Sequence, residues 1–133
     1  MSPITPFLSA YLVFMGLVLG SFINLVADRA PKGESIIRPG SHCRSCGRQL
    51  NAIDLLPVLG YALRRGRCAT CQVQIGASAP IVEAVAGLCM AAPIVWFGLW
   101  PGAAAGLGLV ACCGLVVTGL AARRFAREEA GWQ

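Results

Sequence analysis

Two long apolar runs flank one polar stretch along the 133-residue chain. The first run, residues 7–27, holds 21 residues without a formal charge. At about 1.5 Å per helical residue, it is long enough to cross the roughly 30 Å hydrocarbon core of a bilayer. The pattern therefore predicts a first transmembrane helix within residues 1–27.

Two glycines stand four positions apart inside this first helix. Gly16 and Gly20 lie on one helical face, and Ser21 and Asn24 follow them. Small residues at this spacing allow a second membrane helix to approach closely, so the pattern indicates a packing face. General packing without a specific partner helix is the open alternative, and Asn24 is interpreted as an interfacial residue.

The second apolar run covers residues 81–122, and its one formal charge is Glu83. As a single helix, these 42 residues would measure about 63 Å, which is twice the thickness of a bilayer core. The run must therefore fold back as a transmembrane hairpin. We place its turn at Trp100-Pro101-Gly102, with spans near 81–99 and 103–122 and a tail at 123–133.

The polar stretch between the runs, residues 28–80, predicts an insert outside the hydrocarbon. It holds eight of the 11 Lys and Arg residues, together with several Pro and Gly residues. A stretch of this length is too short to form a core of its own, so a metal ion would be a natural support. Within it, residues 54–66 predict an interfacial helix with Asp54 as its cap and Gly66 at its end.

Composition excludes a soluble domain and sets the expected orientation. Hydrophobic residues make up 56% of the chain, charged residues 13%, and the net charge is +5. The remaining three basic residues lie in the tail, whereas residues 1–6 and the 100–102 turn have none. The positive-inside rule then places the N-terminus outside and the insert and tail in the cytoplasm, facing lipid rather than nucleic acid.

Four of the seven cysteines have the spacing of a metal site. Cys43 and Cys46 form one Cys-x-x-Cys pair, and Cys68 and Cys71 form a second pair, with 21 residues between the two pairs. Two such pairs can hold one tetrahedral Zn²⁺ in a zinc-ribbon-like arrangement. Four thiolates leave no open coordination position, so the metal would be structural; iron is the open alternative. His42 is expected beside the site and not as a ligand.

Several segments together resemble the N-terminal domain of type IV prepilin peptidases, over about residues 16–90. They are Gly20–Asn24, Asp28–Pro31, Ser41–Cys46, Asp54–Leu59, Arg65–Cys71 and Ala79–Glu83. The resemblance implies a bacterial inner membrane protein that adjoins a membrane-embedded aspartic protease half. It also implies a link to N-methylation of the new pilin terminus by S-adenosylmethionine, associated with the glycine that corresponds to Gly66.

The chain departs from the family pattern where the protease chemistry would lie. Intramembrane aspartic proteolysis needs two carboxylates that share a proton, and the family's Gly-x-Gly-Asp motif is absent from these residues. Asp28 and Asp54 have plainer roles as an interfacial ion-pair partner and a helix cap. The chain on its own is therefore not expected to be a peptidase, and no catalytic residue is assigned.

Methyl transfer has no independent support in the sequence, since no glycine-rich cofactor loop follows a strand. Gly66 is better interpreted as a helix C-cap. Glu83, at the start of a span, is expected to favour the helix N-terminus and to orient the insert by pairing with one of its arginines; catalysis is the less favoured alternative.

Two functions are consistent with these residues. The first is a stand-alone prepilin-peptidase-like domain that acts with a separate aspartic protease half in pilin maturation. The second is a non-catalytic accessory or assembly subunit of a larger membrane complex. In both, the fold is an all-α membrane protein with three transmembrane helices and a cytoplasmic insert between the first and second. The partner and the oligomeric state stay open.

Overall fold

The structure is a computed structural model, and it describes residues 3–130. Four α-helices follow one another along the chain: α1 at Thr5–Arg29, α2 at Leu59–Leu63, α3 at Ser78–Phe97 and α4 at Leu99–Ala130. A short 3₁₀ turn, Ala30–Lys32, follows α1. Two isolated antiparallel bridges, and no extended strand, occur in the described part of the chain.

Helices α1, α3 and α4 are long and apolar enough to cross a membrane, by length and composition. This confirms the predicted all-α architecture with three such helices. The segment between α1 and α3, residues 30–77, is the insert, and it contains α2 and the four clustered cysteines.

The three long helices pack against one another as a bundle. Its core consists of buried side chains from α3 and α4, against which residues of α1 also pack. Ala86 and Met90 are the most enclosed members, each at 1% exposure. The buried core residues are Ala86, Met90, Ile94 and Val110.

Close approach of α1 to α3 depends on the two glycines predicted to form a packing face. A Cβ atom placed on Gly20 would lie 2.8 Å from Ala86 Cβ and from Glu83 Cα, and one on Gly16 would lie 2.9 Å from Met90 Cβ. Real Cβ contacts are essentially never this short, so both positions need glycine. The predicted packing face is confirmed, and its partner is α3.

The turn between α3 and α4 lies earlier than predicted. α3 ends at Phe97 and α4 begins at Leu99, so Gly98 makes the turn with a positive φ of 83°. Trp100-Pro101-Gly102 lies inside the first turn of α4. The prediction was wrong because proline is compatible with the first turn of a helix, where its missing N–H would have no partner.

The helix predicted over residues 54–66 is also shorter in the structure. Only Leu59–Leu63 is α-helical, and the preceding residues form turns. Val58 has a positive φ of 60°, which interrupts the helix before it can extend back to Asp54. Gly60 packs directly on the preceding turn, since a Cβ there would lie 2.6 Å from the Asp54 carbonyl oxygen.

Candidate metal centre

The two Cys-x-x-Cys pairs lie in two hairpin turns with the same backbone hydrogen bonds. In the first, Cys43 N–H donates to Arg48 O at 2.8 Å, and Leu50 N–H donates to Ser41 O at 2.9 Å. We call this segment, 41–50, the first knuckle. These hydrogen bonds close the turn so that both thiols of the pair lie on the same side of it.

The second knuckle, residues 66–75, repeats this pattern 25 positions later. Cys68 N–H donates to Val73 O at 3.0 Å, and Ile75 N–H donates to Gly66 O at 2.7 Å. Gln72 has a positive φ of 57°, at the position where the first knuckle has Gly47 with a φ of 71°. The two knuckles therefore share the same backbone structure although most of their side chains differ.

The knuckles bring the four predicted ligands together. All four sulfur atoms lie within 4.8 Å of one another. Cys43 Sγ lies 3.8 Å from Cys71 Sγ, and Cys46 Sγ lies 3.9 Å from Cys68 Sγ. A tetrahedral zinc site with bonds of about 2.3 Å requires sulfur atoms about 3.8 Å apart. The cluster can bind a metal ion, and its dimensions fit Zn²⁺.

The electrostatics of the cluster favour a bound cation. Backbone N–H groups of Cys71 and Thr70 lower the pKa of Cys68 to about 6. An N–H from Arg48 lowers the pKa of Cys46, but desolvation and the three neighbouring thiols outweigh it and raise the value to about 11. Four thiolates in one cluster repel one another, and a divalent cation removes that penalty.

His42 lies outside this group of four sulfur ligands. Its ring nitrogen Nδ1 is 2.9 Å from the Gly40 carbonyl oxygen, and the side chain is exposed. The histidine is therefore engaged with the backbone next to the first knuckle.

Asp54 ties the first knuckle to the end of α2, a role that the sequence analysis missed. Its carboxylate accepts hydrogen bonds from Arg64 Nε at 2.7 Å and from both terminal nitrogens of Arg48, one of them at 2.8 Å. Burial raises the pKa of Asp54, but the hydrogen bonds from Arg64 and Asn51 and the charge of Arg48 bring it below its usual value. The predicted helix cap was wrong, because Asp54 lies five residues before α2.

Glu83 connects the insert to the bundle through a backbone group. Its carboxylate oxygen Oε2 accepts a hydrogen bond from Val58 N–H at 2.6 Å, and Glu83 is buried. The expected ion pair with an arginine of the insert was wrong: within residues 3–130, no basic side chain lies within 4 Å of this carboxylate. Val58, with its unusual φ, presents the donor instead.

Asp28 is an ion-pair partner, as predicted. It accepts from Lys32 Nζ, in the 3₁₀ turn after α1, at 3.1 Å, and from Arg44 of the first knuckle. The Asp28–Arg44 pair joins α1 to the first knuckle.

Gly66 lies two residues before Cys68 and is packed by an aromatic side chain. A Cβ at this position would lie 2.6 Å from Tyr61 Oη, and its φ of 68° is in the left-handed region. Its N–H donates to Tyr61 O at 3.0 Å, three residues after the last residue of α2. These contacts explain the glycine through local geometry.

One known protein family has a sequence pattern that matches most of this chain. The family model named "Bacterial Peptidase A24 N-terminal domain" matches residues 14–97. This range covers more than half of the chain, from α1 through both knuckles to the end of α3. The chain belongs to this family. The A24 N-terminal domain thus includes the four clustered cysteines, Gly66 and Glu83.

Curated relatives of this A24 N-terminal domain carry consistent names. A prepilin leader peptidase/N-methyltransferase of Myxococcus xanthus is 39% identical over 93 residues, which cover 70% of this chain and 28% of the relative. Proteins of the same name from Burkholderia pseudomallei and Bacillus subtilis are 33% and 37% identical, over 77% and 66% of this chain. No solved structure matches the chain significantly.

The chain spans less than half the length of these relatives. The aligned part covers 28% of the Myxococcus protein, 41% of the Burkholderia protein and 36% of the Bacillus protein. The activities in their names therefore belong to proteins with a large additional part.

Proposed function

We propose that this chain is an integral inner membrane protein of pilin processing that acts with an aspartic protease half carried by a separate membrane protein. The observation that carries the proposal is the family match over residues 14–97, which runs through the first two spans and both knuckles. The names of the relatives supply the process, since each is a prepilin leader peptidase.

The carboxylates of the chain support a partner for the protease chemistry. Aspartic proteolysis needs two carboxyl groups that share one proton. Asp28 and Asp54 are each held by two basic side chains, and Glu83 accepts a hydrogen bond from a backbone N–H. The other three acids, Glu34, Glu128 and Glu129, lie in the insert and in the last residues of α4. We infer that the reacting pair comes from outside these residues.

The metal centre is proposed to bind a structural Zn²⁺ through Cys43, Cys46, Cys68 and Cys71. Four sulfur ligands complete a tetrahedral shell, so the ion would hold the two knuckles together without activating water. We propose that the insert and the tail face the cytoplasm and that the N-terminus lies outside, because all 11 basic residues lie in the end of α1, the insert and the tail.

Methyl transfer is not assigned to this chain. The Tyr61 ring packs beside Gly66, where a Cβ atom would lie 2.6 Å from Tyr61 Oη. We propose that Gly66 acts by shaping the second knuckle.

Purification of the tagged full chain from native membranes in a mild detergent tests this function. We expect copurification of a multispan membrane protein that contains a Gly-x-Gly-Asp motif, and prepilin cleavage by the pair but by neither protein alone. A Cys68→Ser variant should lose the partner, whereas Cys112→Ser, a change at an exposed cysteine of α4, should retain it.

The opposite result has a defined meaning. If the chain is found in stoichiometric amounts in a complex unrelated to pili, the pilin-processing role is wrong. The second candidate, an accessory subunit without catalysis, would then replace it. The engagement of Asp28, Asp54 and Glu83 in structural contacts is the observation that favours this candidate.

A further inference from the structure

A cavity of about 340 Å³ lies where α1 meets the insert. Its walls carry two guanidinium groups, one carboxylate and one imidazole. The lining residues are Arg29, Glu34, Ser35, Arg38, Pro39 and His42. The metal centre and the family match leave this cavity without a role.

Arg29 places a buried positive charge in the wall of the cavity. The residue is 7% exposed, and its Nη1 donates to Ser35 O and Pro39 O, both at 2.8 Å, while Nη2 is 3.5 Å from Gly40 O. Within residues 3–130, no carboxylate lies within 4 Å of this guanidinium. Carbonyl groups accept hydrogen bonds from this guanidinium but do not neutralise its charge, and a buried charge without a counter-ion is costly.

The position of Arg29 along α1 places the cavity at the depth of lipid phosphates. α1 has 25 residues, so it measures about 37 Å, whereas the hydrocarbon core is about 30 Å thick. Arg29 is the last residue of this helix, and therefore lies beyond the hydrocarbon when the apolar residues of α1 fill it. Phosphate groups of the bilayer occupy this level.

The loop that walls the cavity is amphipathic. Glu34 and Arg38 line the cavity, while Ile36 and Ile37 between them are 40% and 78% exposed. A free phosphate ion cannot bury the exposed isoleucine side chains, whereas a ligand that joins a phosphate to a hydrocarbon chain would cover them. The cavity has one acid beside its two arginines, so its charge pattern suits a phosphate that carries a cationic substituent.

We propose that this cavity binds the head group of a zwitterionic phospholipid. The phosphodiester lies against Arg29 and Arg38, the ammonium group lies near Glu34, and the glycerol and acyl region covers Ile36 and Ile37. The ligand supplies the counter-charge that Arg29 lacks, and it fixes the insert at the membrane surface independently of any protein partner.

Native mass spectrometry of the full-length protein in detergent tests the proposal. The probes are phosphatidylethanolamine, phosphatidylglycerol and inorganic phosphate, titrated separately. Phosphatidylethanolamine should bind most tightly. Arg38→Gln should weaken it about tenfold, as expected for loss of a charge-assisted contact. Arg38 is exposed and has no ion pair in the described residues, so this change should not unfold the insert.

Two further variants test the recognition of the head group. Glu34→Gln should remove the preference for phosphatidylethanolamine over phosphatidylglycerol, and Ile37→Ser should weaken both lipids. Arg124→Gln, an exposed arginine of α4, is the matched control and should bind as the wild type does.

Three results would overturn the proposal. The first is equal binding by Arg38→Gln and Arg124→Gln. The second is a preference for phosphatidylethanolamine that survives Glu34→Gln. The third is inorganic phosphate that displaces the lipid at equal concentration, which would make the cavity a site for a free anion.

Discussion

The bundle and the insert bury very different amounts of side chain. In the bundle, core residues of α3 and α4 are almost completely enclosed by apolar neighbours. In the insert, the buried positions are Pro57, Gly60, Gly66 and Cys68, and one of these is a metal-ligand candidate. A segment that buries so little apolar surface gains little from the hydrophobic effect. Its fold must come from directional contacts.

Those directional contacts are of three kinds. The sulfur cluster joins the two knuckles. The Asp54 carboxylate joins Arg48 to Arg64. The insert is attached to the bundle by contacts of three helix residues, Asp28, Arg29 and Glu83. The bundle depends instead on its enclosed apolar core and on close contacts of small residues between the helices. Local changes should therefore affect the two regions separately.

The largest effect is expected from loss of a sulfur ligand. Cys68→Ser should unfold both knuckles while α1, α3 and α4 stay intact, since binding of structural zinc is worth about 10–16 kcal/mol in zinc-finger peptides. Hydrogen exchange measures this directly as loss of protection at the Cys43 and Val73–Ile75 segments. Cys112→Ser is the control and should change neither region; equal exchange in both variants would contradict the role of the cluster.

A second change should affect the bundle and spare the insert. Gly20→Ala introduces a Cβ only 2.8 Å from Ala86 Cβ and Glu83 Cα, so the free energy of unfolding should fall by about 1–3 kcal/mol. Gly108→Ala is the matched control, because nothing lies within 4 Å of its Cβ position and alanine favours the helix. Steric-trapping or denaturant unfolding of the two variants gives the comparison, and equal stability would contradict the close-contact account of α1 and α3.

The third change cuts one link between the regions. Glu83→Ala leaves the part-buried Val58 N–H without its acceptor, and the loss should cost about 1 kcal/mol, the lower end of the range for an unpaired donor. The Val58 amide should exchange several-fold faster, while the core of the bundle stays protected. Glu129→Ala, at an exposed site in the last turn of α4, should leave this amide unchanged. Unchanged exchange in Glu83→Ala would show that the hydrogen bond is not the link.

The smallest effect is expected at Asp54 and depends on pH. The pKa of Asp54 is lowered in the folded protein, so its ion pairs stabilise the insert at pH values above the usual aspartate pKa of about 3.9. This contribution is lost as the pH falls through the lowered value. Asp54→Asn should destabilise the insert by about 1 kcal/mol at pH 7, since both arginines are partly exposed to solvent.

At a pH low enough to protonate Asp54 in both the folded and the unfolded wild type, Asp54→Asn and the wild type should be equally stable. Acid also releases metal from thiolates, and the insert is expected to unfold in both proteins when it does, so the two are compared with zinc bound. The difference in unfolding midpoint between Asp54→Asn and the wild type, followed from pH 7 down to the lowest pH at which both still bind zinc, is the measurement. Equal midpoints at pH 7 would contradict the ion-pair assignment.

The bundle could be predicted from the sequence because hydropathy and helix length set it. The predicted spans differ from the observed helices mainly at their ends, where α1 begins two residues earlier and α4 continues through the tail to Ala130. The turn position was missed because Gly98 and the Trp100-Pro101-Gly102 segment are similar turn signals, and the choice between them depends on how α3 packs on α4. Gly102 in fact packs against Pro93 and Ile94.

The insert was less predictable because its contacts are specific and join residues that are far apart in the sequence. The cysteine spacing predicted the four sulfur atoms that the structure brings together, and charge identified Asp28 as an ion-pair partner. The role of Asp54 depends on how Arg48 and Arg64 approach it from both sides, and the role of Glu83 depends on the backbone conformation of Val58. Arg29 stands at the end of a span, where an arginine is ordinary, so nothing in the sequence indicated its burial.

The most direct test of this account is hydrogen exchange of the full chain in detergent, before and after metal removal by a strong chelator. We predict one zinc ion per chain before treatment. After treatment, amides of residues 41–50 and 66–75 should lose protection and those of α1, α3 and α4 should keep it, and added zinc should restore the first state. Protected knuckles without metal, or collapse of the insert and the bundle together, would contradict the claim that a metal centre holds the insert on an independently packed bundle.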